Sequence, residues 1–153
     1  LLKGSRDVKL SIAGEFWGSA KSYYRLIQEL GLNDEIEVIP RYVSEQETAE
    51  LFARADVVVL PYRNATGSAV IPIAYHYGRP VVATQVGGLP DVVEDGRTGF
   101  LVPAGSPGDL AACLSKLTRP QLAARRPAIL EFATRLTWES LAKAVLRTSP
   151  STP

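Results

Sequence analysis

A chain of 153 residues with 46% hydrophobic and 22% charged residues has the length and composition of a single globular domain, which excludes a disordered chain. The formal net charge of +1 gives no electrostatic basis for binding nucleic acid, and a single cysteine excludes a disulfide framework or a zinc cluster built from cysteines. No apolar run approaches the roughly 20 residues that span a bilayer, and from its first residues we expect no signal peptide. Because methionine is absent, even at position 1, we expect a piece of a longer protein.

Short apolar runs alternate along the chain with stretches of helical periodicity, and a final tail has nothing to pack against. In chain order the predicted elements are strand 8–14, helix 18–30, strand 36–39, helix 44–55, strand 56–61, helix 68–77, strand 80–84, helix 89–94, strand 99–102, and helices 107–117, 119–134 and 138–148. Strands separated by helices predict the α/β class, as a doubly wound parallel sheet with Rossmann-like topology. We expect one domain over residues 1–148, with a disordered tail at 149–153. Residues 56–61 are apolar on both faces of the pleat, which predicts a central strand.

Two loops follow predicted neighbouring strands and carry the residues best suited to a ligand, because ligands of such sheets bind beyond the carboxyl ends of the strands. Residues 62–69 bring small and hydroxyl side chains to the start of a helix, where backbone N–H groups suit a phosphate or a sugar hydroxyl. Alternatively, Thr66 or Ser68 only caps that helix. In residues 84–90, Gly87 and Gly88 permit a close approach of the backbone, or form a plain turn. We predict that the two loops lie side by side.

Three further side chains have an ordinary structural interpretation beside a functional one. His76 is expected on an apolar helix without the partners of a catalytic base. Cys113 lies on the apolar side of its helix and is expected to be a small buried hydrophobe. Arg63 either reaches a phosphate or is a solvated charge at a strand end.

The segment 78–102 resembles the donor-binding C-terminal domain of retaining GT-B glycosyltransferases, closest to glycosyltransferase family 4, also called group 1. The matching motifs are Gly78-Arg79-Pro80-Val81-Val82-Ala83-Thr84, Gly87-Gly88-Leu89-Pro90, Asp95-Gly96 and Gly99-Phe100-Leu101-Val102-Pro103. The likeness extends over residues 8–146, including the strand 55–61 and the segment 136–139. It implies transfer of a sugar from a nucleotide diphosphate sugar with retained configuration, in bacterial glycan or glycolipid synthesis. It also implies a cytoplasmic location, peripheral at the inner membrane face in the full-length protein, with no cofactor and no metal.

The resemblance places the donor site on two segments and the glycine pair. The residues at the matching positions are Arg41, Tyr42, Ala65, Thr66, Gly67, Ser68, Ala69, Ile73, Gly87 and Gly88. Family members usually carry glutamates at the positions of Ala65 and Ile73, whose side chains here accept no hydrogen bond. We expect Thr66 and Ser68 to substitute in part. Tyr42 either stacks on the nucleotide base or rests on the domain as a loop tyrosine.

The resemblance also implies a domain truncated at its N-terminus, lacking the first strand, most of the first helix and the acceptor-binding N-terminal domain. We therefore expect weak nucleotide binding and no sugar transfer by the isolated fragment. A missing central strand would leave unpaired edges on strands 8–14 and 56–61. Either these two strands pair directly with each other, or, as we expect, a partner strand enters the gap or a strand-exchanged homodimer forms.

Two other functions compete with sugar transfer. Ala65 and Ile73 are also compatible with a catalytically silent GT-B-like binding or assembly module. A sugar-nucleotide epimerase of the same fold is disfavoured, because it would need acidic and histidine residues at the loop ends.

Overall fold

The computed structural model describes residues 8–16 and 18–136, which fall into two compact units. The first unit is Leu1–Arg54 and the second is Ala55–Pro153. The predicted helix 138–148, its Trp138 and the tail 149–153 lie outside the described residues.

In its described part, the first unit has a pair of parallel strands and two helices. Its elements are β1 (Leu10–Ala13), α1 (Lys21–Glu29), β2 (Ile36–Ile39) and α2 (Glu45–Arg54). The β1–β2 ladder sets Leu10 opposite Ile36. Gly31 ends the α1 segment with a φ of 62°, a left-handed conformation that suits glycine. The residues of β1 are exposed along its length, as expected for a strand with an open edge.

The start of α2 has the capping box that its sequence predicts. The Glu47 N–H donates to the Ser44 hydroxyl at 3.2 Å, and the Ser44 N–H donates to the Glu47 carboxylate at 2.9 Å. Two backbone donors at the helix start are therefore satisfied by side chains that face each other.

Over residues 55–136, the second unit has a three-stranded parallel sheet and five helices, followed by a 3₁₀ turn at Thr134–Leu136. Its strands and helices are β3 (Val58–Leu60), α3 (Val70–His76), β4 (Val81–Thr84), α4 (Leu89–Val92), β5 (Gly99–Val102), α5 (Pro107–Lys116), α6 (Arg119–Ala123) and α7 (Arg126–Ala133). The strand order is β3-β4-β5, and Val82 pairs with Val59 on one side and Phe100 on the other. Every residue of β4 is buried. All described residues that are fully buried belong to this unit.

The parallel α/β class is confirmed, with two corrections of detail. The described strands form two sheets, and β4 rather than β3 is central in the second. Helices cover both faces of an α/β sheet, so residues apolar on both faces do not distinguish a central strand from an edge strand. Among the described residues no ladder joins β1 to β3, so the expected partner strand stays a prediction.

The predicted helix 119–134 is two helices, because Pro127 stands in the first turn of α7. Proline has no N–H to donate and its ring clashes with the preceding turn, so a continuous helix would be disrupted there. The chain breaks between Ala123 and Arg126 instead, and α6 and α7 form separately.

Tyr75 joins α3 to the turn that precedes β5. Its side chain is fully buried, its O–H donates to the Val92 carbonyl at 3.1 Å, and its oxygen lies 2.8 Å from the Thr98 hydroxyl. The Glu94 N–H donates to the same Thr98 hydroxyl at 3.0 Å. Burial raises the pKa of Tyr75 to about 12, and its ring meets Phe132 of α7 edge-on. The phenol thus satisfies polar groups that the core would otherwise leave without partners.

We expect Tyr75→Phe to lower the free energy of unfolding by about 1–3 kcal/mol, because it removes a buried hydrogen-bonding group and leaves its partners unsatisfied. Chemical denaturation would measure the change. Tyr24→Phe is the control, since Tyr24 is 45% exposed and its hydroxyl is accessible to water. Equal stability of Tyr75→Phe and the control would contradict the assigned role of the phenol.

Candidate functional site

The loops that follow β3 and β4, residues 62–69 (the β3 loop) and residues 84–90 (the β4 loop), are in contact. The Gly88 N–H donates to the Thr66 carbonyl at 3.1 Å, and the Thr84 hydroxyl donates to the Tyr62 carbonyl at 2.6 Å. The prediction that the two loops lie side by side is confirmed. Parallel pairing of β3 with β4 brings their carboxyl ends to the same edge of the sheet.

Gly87 allows this close approach because it has no side chain. A Cβ atom at Gly87 would lie 1.7 Å from the Ala65 carbonyl oxygen, and the residue has a φ of 50°. A Cβ atom at Gly88 would lie 2.9 Å from the Thr66 carbonyl oxygen. Both glycines therefore set the spacing between the loops, and Gly87 also needs the left-handed backbone that glycine adopts without strain.

An open cleft of about 480 Å³ lies where the two loops meet. Its lining residues are Asn64, Ala65, Thr66, Val86 and Gly87. This volume is within the range of roughly 300–1,000 Å³ usual for small-molecule sites. The predicted residues Ala65, Thr66 and Gly87 thus line one cleft, whereas Asn64 and Val86 were not predicted. Both residues lie within the two loops predicted to carry a ligand, and that position is the sequence signal for them.

Backbone donors dominate the chemistry of the cleft. Within the described residues, no group accepts a hydrogen bond from the N–H of Thr66, Gly67 or Gly87, and all three residues are exposed. The Gly88 N–H, by contrast, is already bonded to the β3 loop. The N–H groups of Thr66 and Gly87, which line the cleft, are therefore available to an oxygen-rich ligand, and Gly67 is the next residue of the β3 loop. None of the five lining side chains is charged.

Ser68 stabilises the turn into α3. Its hydroxyl accepts from the Val70 N–H at 3.2 Å and lies 3.4 Å from the Tyr62 hydroxyl. The helix begins at Val70, two residues later than predicted. Its N-cap residue is Ala69, whose methyl side chain cannot form a capping hydrogen bond. Ile73 of α3 is 39% exposed and presents only hydrocarbon. Ser68 therefore stabilises the turn before the helix, although it is not the N-cap residue that one alternative predicted.

Arg41 and Tyr42 belong to the first unit. The Arg41 guanidinium forms a two-pronged ion pair with Glu47, with N–O distances of 2.5 and 3.0 Å. This hydrogen bonding to Arg41, followed by the Ser44 N–H, lowers the pKa of Glu47 to about 2. Tyr42 is 76% exposed, so it does not rest on its own unit as a packed loop tyrosine. Its ring face is open for stacking.

The remaining candidates have modest surroundings. His76 is exposed, and its ring meets Tyr77 edge-on at 5.0 Å. Cys113 is half-buried rather than buried, and desolvation, with the nearby charge of Asp95, raises the pKa of its thiol. Arg63 is exposed at the end of β3, as a solvated charge would be. Across residues 8–16 and 18–136, no helix combines the length and hydropathy required to cross a membrane.

Residues 1–119 match the sequence model of a family described as "Glycosyl transferases group 1". A D-inositol 3-phosphate glycosyltransferase of Mycolicibacterium smegmatis is 34% identical over 143 residues, a match that covers 91% of this chain and 33% of that protein. The chain spans about a third or less of the length of such curated relatives.

Solved structures share the fold. Sucrose-phosphate synthase of Thermosynechococcus elongatus superposes with a TM-score of 0.79 at 25% identity, covering 90% of this chain and 36% of that chain. HepE of Anabaena, crystallised in complex with UDP-glucose, gives a TM-score of 0.76 at 22% identity, covering 93% of this chain and 41% of that chain. At 22% identity the likeness to HepE shows the fold.

We expect Gly87→Ala to lower the free energy of unfolding by about 2–5 kcal/mol, because the new methyl group collides with a carbonyl and the backbone is left-handed. Thermal or chemical denaturation would measure it. Gly108→Ala in α5 is the matched control: a Cβ atom there meets nothing within 4 Å. The control should leave stability unchanged or raise it by up to about 1 kcal/mol. Similar stability of the two variants would show that the loops do not need their close contact.

We expect the Arg41–Glu47 pair to make the stability of the first unit depend on acid. A carboxylate whose pKa is lowered on folding stabilises the fold above its unfolded pKa of about 4.3, and that contribution is lost as the pH falls towards the folded pKa. Stability should therefore fall more steeply in wild type than in Glu47→Gln between about pH 4.3 and pH 2. Denaturation at a series of pH values would measure it, with Glu45→Gln on the same helix as control. Parallel pH profiles for wild type and Glu47→Gln would contradict the pairing.

Proposed function

The chain belongs to the group 1 glycosyltransferases, and we propose that it binds the nucleotide-sugar donor of a sugar transfer reaction that retains anomeric configuration. Its fold is that of the C-terminal domain of GT-B glycosyltransferases. The observation that carries the proposal is the cleft between the β3 and β4 loops, with its exposed N–H groups. The UDP-glucose held by the structurally similar HepE supports a ligand of this class.

The chemistry of the cleft suits a nucleotide diphosphate sugar. Phosphate and sugar oxygens accept hydrogen bonds, and the N–H groups of Thr66, Gly67 and Gly87 are donors. Fixed backbone donors bind an anion without adding a counter-charge, so the uncharged lining does not argue against a diphosphate. Val86 supplies an apolar wall beside these donors, as is usual in small-molecule sites.

The positions of the usual family glutamates carry Ala65 and Ile73, so polar contacts must come from elsewhere in the β3 loop. Thr66 lines the cleft with an exposed hydroxyl, which can donate and accept. Ser68 is a lesser contributor under this proposal, because its oxygen already accepts from the Val70 N–H.

For the whole protein we propose hexosyl transfer from the donor to an acceptor in bacterial glycan or glycolipid synthesis, on the cytoplasmic side of the membrane. The acceptor would be bound by a part of the protein outside this chain, which covers about a third of the curated relatives. The loss of carboxylates at Ala65 and Ile73 favours a second candidate, a module that binds the nucleotide sugar without transferring it.

Titration of the isotope-labelled chain with UDP-glucose, followed by NMR, would test donor binding. We expect the backbone amide signals of Thr66, Gly67 and Gly87 to shift, because their N–H groups receive the ligand oxygens. The amide signals of Gly108 and Asp109 in α5 are the internal control and should stay unchanged. If neither UDP-glucose nor a GDP-sugar shifts the cleft signals at millimolar concentration, the proposal is wrong. Transfer by the full-length protein, with the product anomer identified by NMR, would distinguish an enzyme from a silent binding module.

A further inference from the structure

The side chains that line the cleft offer few hydrogen-bond acceptors. Of its five lining residues, Ala65, Val86 and Gly87 have no polar side-chain atom. The Thr66 carbonyl is already bonded to the Gly88 N–H, and the Ala65 carbonyl faces Gly87 at a distance that leaves no room for a Cβ atom. A sugar presents hydroxyl groups that donate as well as accept, so donors alone cannot satisfy it.

Asn64 supplies what the other lining residues lack. Its carboxamide combines an acceptor oxygen with two N–H donors in one planar group. Asn64 is exposed, and within the described part of the chain its side chain has no hydrogen-bond partner. The Thr66 hydroxyl is the other polar side chain of the lining, but a single hydroxyl offers one oxygen for both roles. A carboxamide can instead accept from one hydroxyl while donating to its neighbour.

We propose that the Asn64 carboxamide binds two adjacent hydroxyl groups of the donor sugar and is a specificity-determining residue of the cleft. This inference rests on the proposed function, since it names the part of the nucleotide sugar that Asn64 contacts. It assigns the sugar, rather than the diphosphate or the base, to the end of the cleft at Asn64.

Binding of UDP-glucose and of UDP to three forms of the chain, measured by calorimetry or NMR titration, would test it. Asn64→Ala should weaken UDP-glucose binding about tenfold, the usual effect of losing hydrogen bonds to a neutral group, and UDP binding less than about twofold. Asn64→Asp keeps acceptor oxygens for the sugar hydroxyls and should bind UDP-glucose within about threefold of wild type. Where UDP-glucose does not bind wild type, GDP-mannose and GDP are the probes.

Gln85→Ala is the matched control, because it removes an exposed side-chain amide from the β4 loop that does not line the cleft. It should leave both affinities unchanged, and melting temperatures should show that all variants fold. Equal weakening of UDP and UDP-glucose by Asn64→Ala would overturn the assignment to the sugar. Weaker binding by Asn64→Asp than by Asn64→Ala would overturn it too, since a carboxylate repels phosphate. If wild type binds no nucleotide sugar, the proposed function itself fails, whereas unchanged binding by Asn64→Ala removes only this inference.

Discussion

The close contact between the backbones of Gly87 and Ala65 is the constraint on which the cleft depends. Residues other than glycine would place a Cβ atom 1.7 Å from a carbonyl oxygen, so the β3 and β4 loops meet only because one side chain is missing. The neighbouring hydrogen bond from the Gly88 N–H to the Thr66 carbonyl also holds the two loops together. The shape of the cleft is thus set mainly by backbone, and side chains decide its chemistry.

That contact depends in turn on the sheet beneath it. β4 is buried throughout and pairs in parallel with β3 and β5, so the loops leave the sheet at one edge. Tyr75 connects α3, which follows the β3 loop, to Thr98 and Val92 near β5. A buried polar chain of this kind fixes orientation as well as stability, because each group has few alternative partners in the core. The contact between the loops therefore depends on the packing of the second unit.

The sequence was informative where local chemistry decides the structure. The strands 36–39 and 99–102 form with the predicted bounds, and the Ser44–Glu47 capping box is present. The loop contact also followed from the order of strands and the glycine pair. Sequence patterns failed where contacts between distant segments determine the structure. The apolar residues of β3 indicate that both faces of the sheet are covered, but they do not indicate whether the strand is central or at an edge. Asn64 lies in a predicted loop but was not among the predicted site residues, because its importance depends on which neighbouring side chains line the cleft, and sequence does not display that.

The cleft contains two kinds of residue: those whose backbone sets its shape, and those whose side chains only line it. Gly87 and Gly88 are bound to the β3 loop through backbone geometry, so a change of length in either loop would displace both. The side chains of Asn64 and Val86 line the cleft without supporting that geometry. If the cleft binds a nucleotide sugar as proposed, related proteins with the same backbone would acquire different donor preferences by single substitutions at these two positions. New specificity would arise at low cost in stability, while the scaffold stays unchanged.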